Sequence, residues 1–482
     1  TLNKKIYLCR WKNGQNRLKT HWKNGQNNHK YHWKNRQIMI NRKIYSKLEH
    51  FYKNHKNALL VTGARQVGKT FSIRHFGKSH FASFVEFNFI ENPELIQLFA
   101  GAKGVDDLLL RLSTSTSIPL IEGETLVFFD EVQECPALMT AIKFLVDDGR
   151  FRYILSGSLL GVDLKDWRSV PVGYMGVCEM FPLDLQEFFE AIGVQPVVFD
   201  AVRKCWDEKT PVDAFVHAKL MEAVRLYLLV GGMPAVVDAY LQTNNMQRVA
   251  QQQQDILSLY RLDIAKYDVA RKLYLEEIFR LIPSELNAKN KRFILKDLNE
   301  NLKFQRYENS FLWLKGAGVA IPVYNVDEPK QPLLLARSRN LFKLFQNDVG
   351  LLTAQYAGDI QRRVLQGDTS INYGAIYENL VAQELKAHGF DMYYFNSKRQ
   401  GEVDFVVEDG GVLPIEVKSG KDYALHRALA NIMNVEDYAL TDALVLCNDN
   451  LHRDGKVLYA PIYMIMFVEK KPCEDFVYKF EM

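Results

Sequence analysis

The sequence is poor in cysteine and has no cysteine spacing that would hold a metal. Its six, Cys9, Cys135, Cys178, Cys205, Cys447 and Cys473, are scattered over 482 residues with no C-x-x-C pair. That argues against a spaced zinc site and against a disulfide framework, and sets the expectation of a reducing, cytoplasmic setting. No run of about 18 uncharged apolar residues occurs, so no transmembrane helix and no membrane partner are expected. An apolar signal-peptide core is also missing from the first residues. Acid is almost absent from residues 1–50, which hold 13 Lys/Arg against Glu49 alone. The remainder holds 48 basic and 56 acidic residues, so the overall charge of +4 hides a mildly acidic body. The basic pI is therefore no sign that the body binds nucleic acid. With 48% hydrophobic and 24% charged residues the chain can bury sizeable cores, and its length suggests roughly three domains.

What fills the basic beginning is a repeat. Trp11, Trp22 and Trp33 recur every 11 residues inside near-copies of W-K-N-G-Q-N. Three readings fit it. Aromatics interleaved with cations can stack on single-stranded nucleic acid. A low-complexity tail stays disordered for want of apolar surface. A short tandem DNA repeat translated ahead of a start near Met39 would look the same. Residues 1–41 are set apart as a disordered leader, followed by a lead-in helix from Arg42 to His55.

The informative stretch begins at Ala58. An apolar run to Val61 reads as a buried strand, and Gly63, Ala64, Arg65, Gln66, Val67, Gly68, Lys69 and Thr70 then fit G-x-x-x-x-G-K-[ST]. Glycines at both ends let successive N–H groups turn toward phosphate oxygens, and the following helix offers its positive N-terminus. Lys69 is placed to reach the β- and γ-phosphates of ATP and Thr70 to ligate Mg²⁺. About 60 residues on, Thr125 to Phe129 form a second apolar run that ends in Asp130 and Glu131. A buried parallel strand would set Asp130 at the Mg²⁺ shell and Glu131 at the attacking water. Phe151 to Leu155 is a further strand, ending in Ser156, Gly157 and Ser158. Ser156 or Ser158 either orients water near the γ-phosphate, as on the sensor-1 strand of AAA-type ATPases, or simply makes a turn.

The chain from residue 44 onward resembles a bacterial and archaeal family of AAA-type ATP-binding proteins with a C-terminal domain of unknown function. The stretches that carry the resemblance are GARQVGKT (63–70), VFFDEVQ (127–133), ILSGS (154–158), VPVGY (170–174), EMFPLDLQEFF (179–189), LVGGMPAVVDAYL (229–241) and DIAKY (263–267). LFKLFQNDVGLL (341–352), GAIYENLVAQEL (374–385), GEVDFVV (401–407) and IEVKSGK (415–421) extend it to the C-terminal part. The resemblance implies an ATPase domain over 42–192 and a helical lid over 193–285. Many relatives carry an Arg in a Gly-Arg context after the sensor-1 strand; here VPVGY stands in its place, and Arg168 just before it is the candidate arginine finger.

Two constellations remain. Residues 286–352 read as helix (295–303), helix (307–316) and hairpin (318–326), the order of a winged-helix-like connector. Either Lys303, Arg306 and Lys315 contact DNA phosphates, or the segment only packs the two flanking domains together. In 353–482 a helix bears Glu378 and Glu384, and strands carrying Asp404 and Glu416-x-Lys418 flank a turn at Asp409, Gly410 and Gly411. This is the PD-(D/E)xK nuclease constellation, in which Glu378, Asp404 and Glu416 gather a divalent metal and Lys418 assists, with His426 as a neighbour. The competing reading is a retained scaffold whose acids pair on the surface, for example Glu402 with Lys418. If 409–411 is a three-residue loop, residues 408 and 412 are opposed, and Asp404 falls across from Glu416. The expected fold class is α/β: an AAA-type P-loop NTPase parallel sheet with a helical lid, a winged-helix-like connector and a restriction-endonuclease-like C-terminal domain. The expected function is an Mg-dependent ATPase, with ATP and Mg²⁺ as cofactors, directed to nucleic acid through its C-terminal domain. The alternative is an ATP-dependent switch that binds a partner protein or a second copy and cuts nothing.

Overall fold

The computed structural model describes residues 40–157, 173–267, 272–288, 308–356, 360–368, 371, 373–420, 422–471 and 477–479. The leader, Ser158, Arg168, the expected helix 295–303, Lys303 and Arg306 lie outside the described residues.

The N-terminal sheet has five parallel strands, β1 (Ala58–Thr62), β2 (Ser83–Asn88), β3 (Thr125–Asp130), β4 (Arg152–Ser156) and β5 (Met175–Glu179), in the order β2-β3-β4-β1-β5. Every residue of β1 and β3 is buried, because strands covered on both faces need continuous apolar runs. Helix α1 (Lys43–Asn54) leads in, α2 (Lys69–His80) follows the loop after β1, and α3 (Val105–Thr114) and α4 (Pro136–Asp148) come next. Leu108, Leu112, Leu138 and Ile142 of α3 and α4 close over Val85, Val127, Phe129 and Leu155 on one sheet face. The opposite face, with Leu59, Val61, Phe128 and Ile154, belongs to a core that runs on through the middle helices into the C-terminal part.

Those middle helices are α5 (Leu185–Ala191), α6 (Pro196–Glu208), α7 (Ala214–Val230), α8 (Pro234–Thr243), α9 (Met246–Tyr267), α10 (Lys272–Asn287) and α11 (Glu308–Gly316). Gly231 breaks α7 from α8 with φ 73°, and α7 and α8 meet at a bend of 119°. Among the described residues no single helix is long and apolar enough to cross a membrane. The breaker must be glycine for reasons of space as well as backbone. A Cβ on Gly231 would lie 2.2 Å from the Asp348 carboxylate, and one on Gly232 would lie 2.0 Å from the Leu183 carbonyl oxygen.

The second sheet has eight strands. These are β6 (Ala320–Val326), β7 (Arg337–Gln346), β8 (Tyr393–Ser397), β9 (Gly401–Glu408), β10 (Val412–Val417), β11 (Ala443–Cys447), β12 (His452–Asp454) and β13 (Val457–Pro461), in the order β12-β13-β11-β10-β9-β8-β6-β7. Helices α12 (Val349–Thr353), α13 (Ile360–Leu365), α14 (Gly374–Ala387) and α15 (Arg427–Met433) complete this part. The hairpin of the connector is β6 with β7, not 318–326 alone, and β6 runs parallel to β8. Residues 320–346 thus supply the edge of this sheet. Phe342 of β7 packs edge-on against Phe311 of α11 and beside Tyr324 of β6, which seats the hairpin on that helix.

Candidate functional site

The loop after β1 folds as its glycines require. Gly63 has φ 136° and Gly68 φ 93°, and Gly68 also caps α2. A Cβ on Gly63 would lie 2.2 Å from the Met180 carbonyl oxygen. Gln66 is a non-glycine with φ 68°, a strained backbone of the sort held in place at ligand loops. Lys69 is buried, and its Nζ donates to the carbonyls of Gly63 (3.0 Å) and Ala64 (2.9 Å). Burial pulls its ammonium down to about 8, although Glu131 and Asp130 support the charge. The loop is braced from outside. Arg65 pairs with Asp263 of α9 at 2.6 Å, Tyr260 donates to the Arg65 carbonyl at 3.0 Å, and Arg42 Nη1 donates to the Val67 carbonyl at 3.2 Å.

Because β4 lies between β1 and β3, its C-terminal Ser156 falls between the loop and Asp130. Asp130 accepts from four directions: Thr70 Oγ1 (3.1 Å), Asn88 Nδ2 (3.1 Å), the Glu131 N–H (3.1 Å) and Ser156 Oγ. Burial raises the Asp130 carboxyl, against the Ser156 and Thr70 hydrogen bonds that favour its charge. Glu131 sits at φ 59°, and Gln133 Nε2 donates to its carboxylate at 2.5 Å. Thr70 and Asp130 thus present a hydroxyl and a carboxylate oxygen side by side. These are the hard oxygen donors that Mg²⁺ takes when most of its shell is water and phosphate, so the residues present fit that ion. Asn88 and Gln133 were not singled out from sequence. Asn88 had a legible signal, a polar residue closing an apolar strand, and the register sets it directly beside Asp130.

Residues 55–189 match the AAA domain family. With the parallel sheet, this makes the N-terminal domain an AAA-type P-loop fold. Residues 221–361 and 373–464 match two families described only as domains of unknown function, DUF8612 and DUF4143. Among solved structures, the Thermotoga maritima RuvB Holliday junction branch migration motor is 14% identical, with 61% of this chain and 91% of that one covered at a TM-score of 0.28. The Aeropyrum pernix ORC1 protein in complex with DNA is 12% identical, with coverage of 69% and 94% and a TM-score of 0.26. Scores of this size carry no functional weight. No curated protein matches the chain.

The second constellation assembles around a residue the sequence reading gave no role. The β9–β10 register pairs Glu408 with Val412 and Phe405 with Ile415, as the three-residue loop requires. The next positions along it are Asp404 and Glu416. Asp404 accepts from the Val417 N–H at 3.0 Å, and its carboxyl is hydrogen-bonded to that of Glu416. Glu378 comes in from α14. Lys343 of β7, fully buried, puts its Nζ 2.8 Å from Glu402, 3.6 Å from Glu378 and 3.7 Å from Asp404. Burial works against that ammonium, but Glu378, Asp404 and Glu402 outweigh it and raise it above its ordinary value. Burial, with Asp404 beside it, pushes the Glu416 carboxyl well up, toward the protonated form.

These residues do not fit a divalent metal. A fixed cation already faces Glu378 and Asp404, and Glu416 is driven toward neutrality. Among the described residues no group of three or more His, Cys, Asp or Glu is disposed to hold a metal ion. The expected Glu402–Lys418 pair is replaced by Glu402–Lys343, because Lys343 enters from the neighbouring hairpin. Lys418 instead lies 3.6 Å from Glu416. His426 is hydrogen-bonded to the Tyr459 hydroxyl at 2.6 Å.

Proposed function

We propose that the chain is an Mg·ATP-hydrolysing switch whose nucleotide state is passed to its C-terminal part, which cuts nothing. In this reading Mg²⁺ would be held by Thr70 and Asp130 and would offset charge on the phosphates when bound. Lys69 leaves the Gly63 and Ala64 carbonyls for the β- and γ-phosphate oxygens, whose negative charge further favours its ammonium form. Ser156 and Asn88 keep Asp130 oriented. Glu131, released from Gln133, polarises the attacking water.

The observation that carries the switch is a buried polar path away from the loop. Arg42 holds the Val67 carbonyl and pairs with Glu187 of α5 at 3.1 Å. Asp184 caps α5 and pairs with Lys43 at 2.8 Å. The Leu185 N–H donates to Glu384 of α14 at 3.0 Å. A change at the loop therefore meets α14, which carries Glu378, through side chains that have little room to rearrange independently.

The nucleic-acid-cutting reading has the convergence of Glu378, Asp404 and Glu416 in its favour. The Lys343 ammonium weighs against it. Assays of phosphate release with Mg·ATP, and of divalent-dependent cleavage across DNA and RNA substrates, separate the two. ATP turnover without cleavage is expected. Absence of turnover overturns the proposal, and Lys418-dependent cleavage replaces it with the alternative.

A further inference from the structure

A cleft of about 450 Å³ opens between the edge of the N-terminal sheet, the end of α11, the β6–β7 hairpin and the end of α14. That size suits a small organic ligand. Thr62 and Ala64 line it at the start of the phosphate loop, but none of Arg65 to Thr70 does.

Its polar lining is dominated by cations. Lys315, Arg337 and Lys386 face it from α11, β7 and α14, against Glu179 and Asp391. Lys386 pairs with Glu179 at 3.4 Å. Lys315 and Arg337 have no ion pair among the described residues, and the Arg337 Nε is buried with no hydrogen-bond partner. The Lys315 ammonium is held below its ordinary value, first by burial and then by Lys386 and Arg337, by more than Asp391 and Glu179 restore. Lys315 and Arg337, only partly offset by Asp391 and Glu179, repel each other in this cleft, and an anion between them lowers that cost. The apolar wall is aromatic: Tyr324, Tyr393, Phe181 and Phe390 line it, and the Arg337 guanidinium lies 3.6 Å from the Tyr324 ring centre. A guanidinium seated on a ring is a fixed fork, suited to phosphate, and a flat apolar group stacks on the same kind of wall.

We infer that this cleft binds a nucleotide unit, phosphate on Lys315 and Arg337 and base against the aromatic wall, at a site separate from the phosphate loop. The unit can come from a free mononucleotide or from a single strand, and binding distinguishes them.

The test uses the full chain carrying Lys69→Ala, which silences the loop. Calorimetric titrations use AMP, inorganic phosphate and an oligothymidylate of about twelve nucleotides. AMP or the oligonucleotide should bind, with inorganic phosphate weaker because it lacks a base. Adding Arg337→Ala should weaken binding by about tenfold or more, the effect of one charge-assisted hydrogen bond. Adding Lys315→Gln instead should act in the same direction, and melting curves of both variants check folding. AMP binding assigns a free nucleotide, and binding of the oligonucleotide alone assigns a strand. The inference is overturned if neither binds, if binding ignores both substitutions in folded chains, or if Arg337→Ala on the unaltered loop weakens ATP binding equally.

Discussion

Replacing Lys343 by Met tests the reading of the acid cluster most directly. Met keeps the length and apolar stem of lysine and removes only the ammonium. The charge removed is fully buried and lies 2.8–3.7 Å from three carboxylates. Breaking a buried ion pair by deleting one partner costs about 3–5 kcal/mol, because the other charge stays desolvated and unpaired. In a melting domain of about 150–250 residues that corresponds to a fall of roughly 6–20 °C. The loss has a pH signature. In the parent chain the raised Lys343 value means that its contribution is fully present below its ordinary value of 10.5 and lost only as pH rises beyond it. Between about pH 5 and pH 8 the parent therefore owes no slope to Lys343. In the variant the carboxylates lose their counter-ion and take up protons more readily than in the unfolded chain, so the destabilisation shrinks as pH falls. Thermal melting of parent and variant at several pH values reads both effects. A Lys343→Ala chain adds a third, since it opens space between the carboxylates. Mn²⁺ should then raise its melting temperature, by binding the folded state, and leave the parent unchanged. A Lys343→Met chain that loses less than about 1 kcal/mol with no pH dependence would refute the internal counter-ion. So would stabilisation of the parent by Mn²⁺.

Lys69→Ala should abolish Mg·ATP binding at the phosphate loop, and Glu131→Gln should keep binding there but slow phosphate release; equal turnover with Gln at 131 would remove Glu131 from the mechanism. Asp348 is buried, and burial lifts its carboxyl to about 6, against N–H donors from Gly232 and Leu351. A raised acid value means that the folded state gains stability as pH falls from about 6 toward 3.8, by about 3 kcal/mol; the Asp348→Asn chain should lack that slope in denaturant titrations. Gly231→Ala should lower the melting temperature, because its Cβ meets Asp348 at 2.2 Å on a backbone with φ 73°; an unchanged melt would show that the α7–α8 junction gives way freely. Deleting residues 1–38 should leave the melting temperature unchanged, since the repeat has no apolar periodicity to dock.

The phosphate loop was legible because its chemistry is local: glycines, lysine and threonine within eight residues fix both the turn and the anion site. The β9–β10 register was legible for the same reason, since one short loop sets every opposed pair. Asp130 could be read from an apolar run ending in acid, but the convergence of Thr70, Asn88 and Ser156 on it could not, because they come from three other segments. Lys343 shows the limit most clearly. It lies between Phe342 and Leu344 in an edge strand paired with β6, the carboxylates it meets are Glu378, Glu402 and Asp404 much further along the chain, and a lysine in an apolar strand gives no hint of which acids those will be. The parallel pairing of β6 with β8 was hidden on similar grounds. Strand pairing across long separations follows from burial of the whole sheet, and no local residue announces it.

Helix α14 explains how one segment can serve both constellations. Residues 375 to 385 are all buried, so this stretch of the helix has no solvent face, and its polar side chains are spent on other segments. Asn379 exchanges hydrogen bonds with the backbone of Gln346, at 2.7 and 3.1 Å. Gln383 accepts from the Val349 N–H at 2.8 Å and donates to the Tyr227 hydroxyl at 2.5 Å. Glu384 receives the Leu185 N–H, and Glu378 faces Lys343. The two glutamates are six residues apart, about 9 Å along the axis. A helix tied on every side to backbone groups cannot slide by a fraction of a turn without leaving buried donors and acceptors unpaired, at about 1–3 kcal/mol each. It moves as a body or not at all. In the switch proposed above, a displacement of α5 passed on by Arg42 would meet α14 at Glu384 and reach Glu378 through the helix as one body.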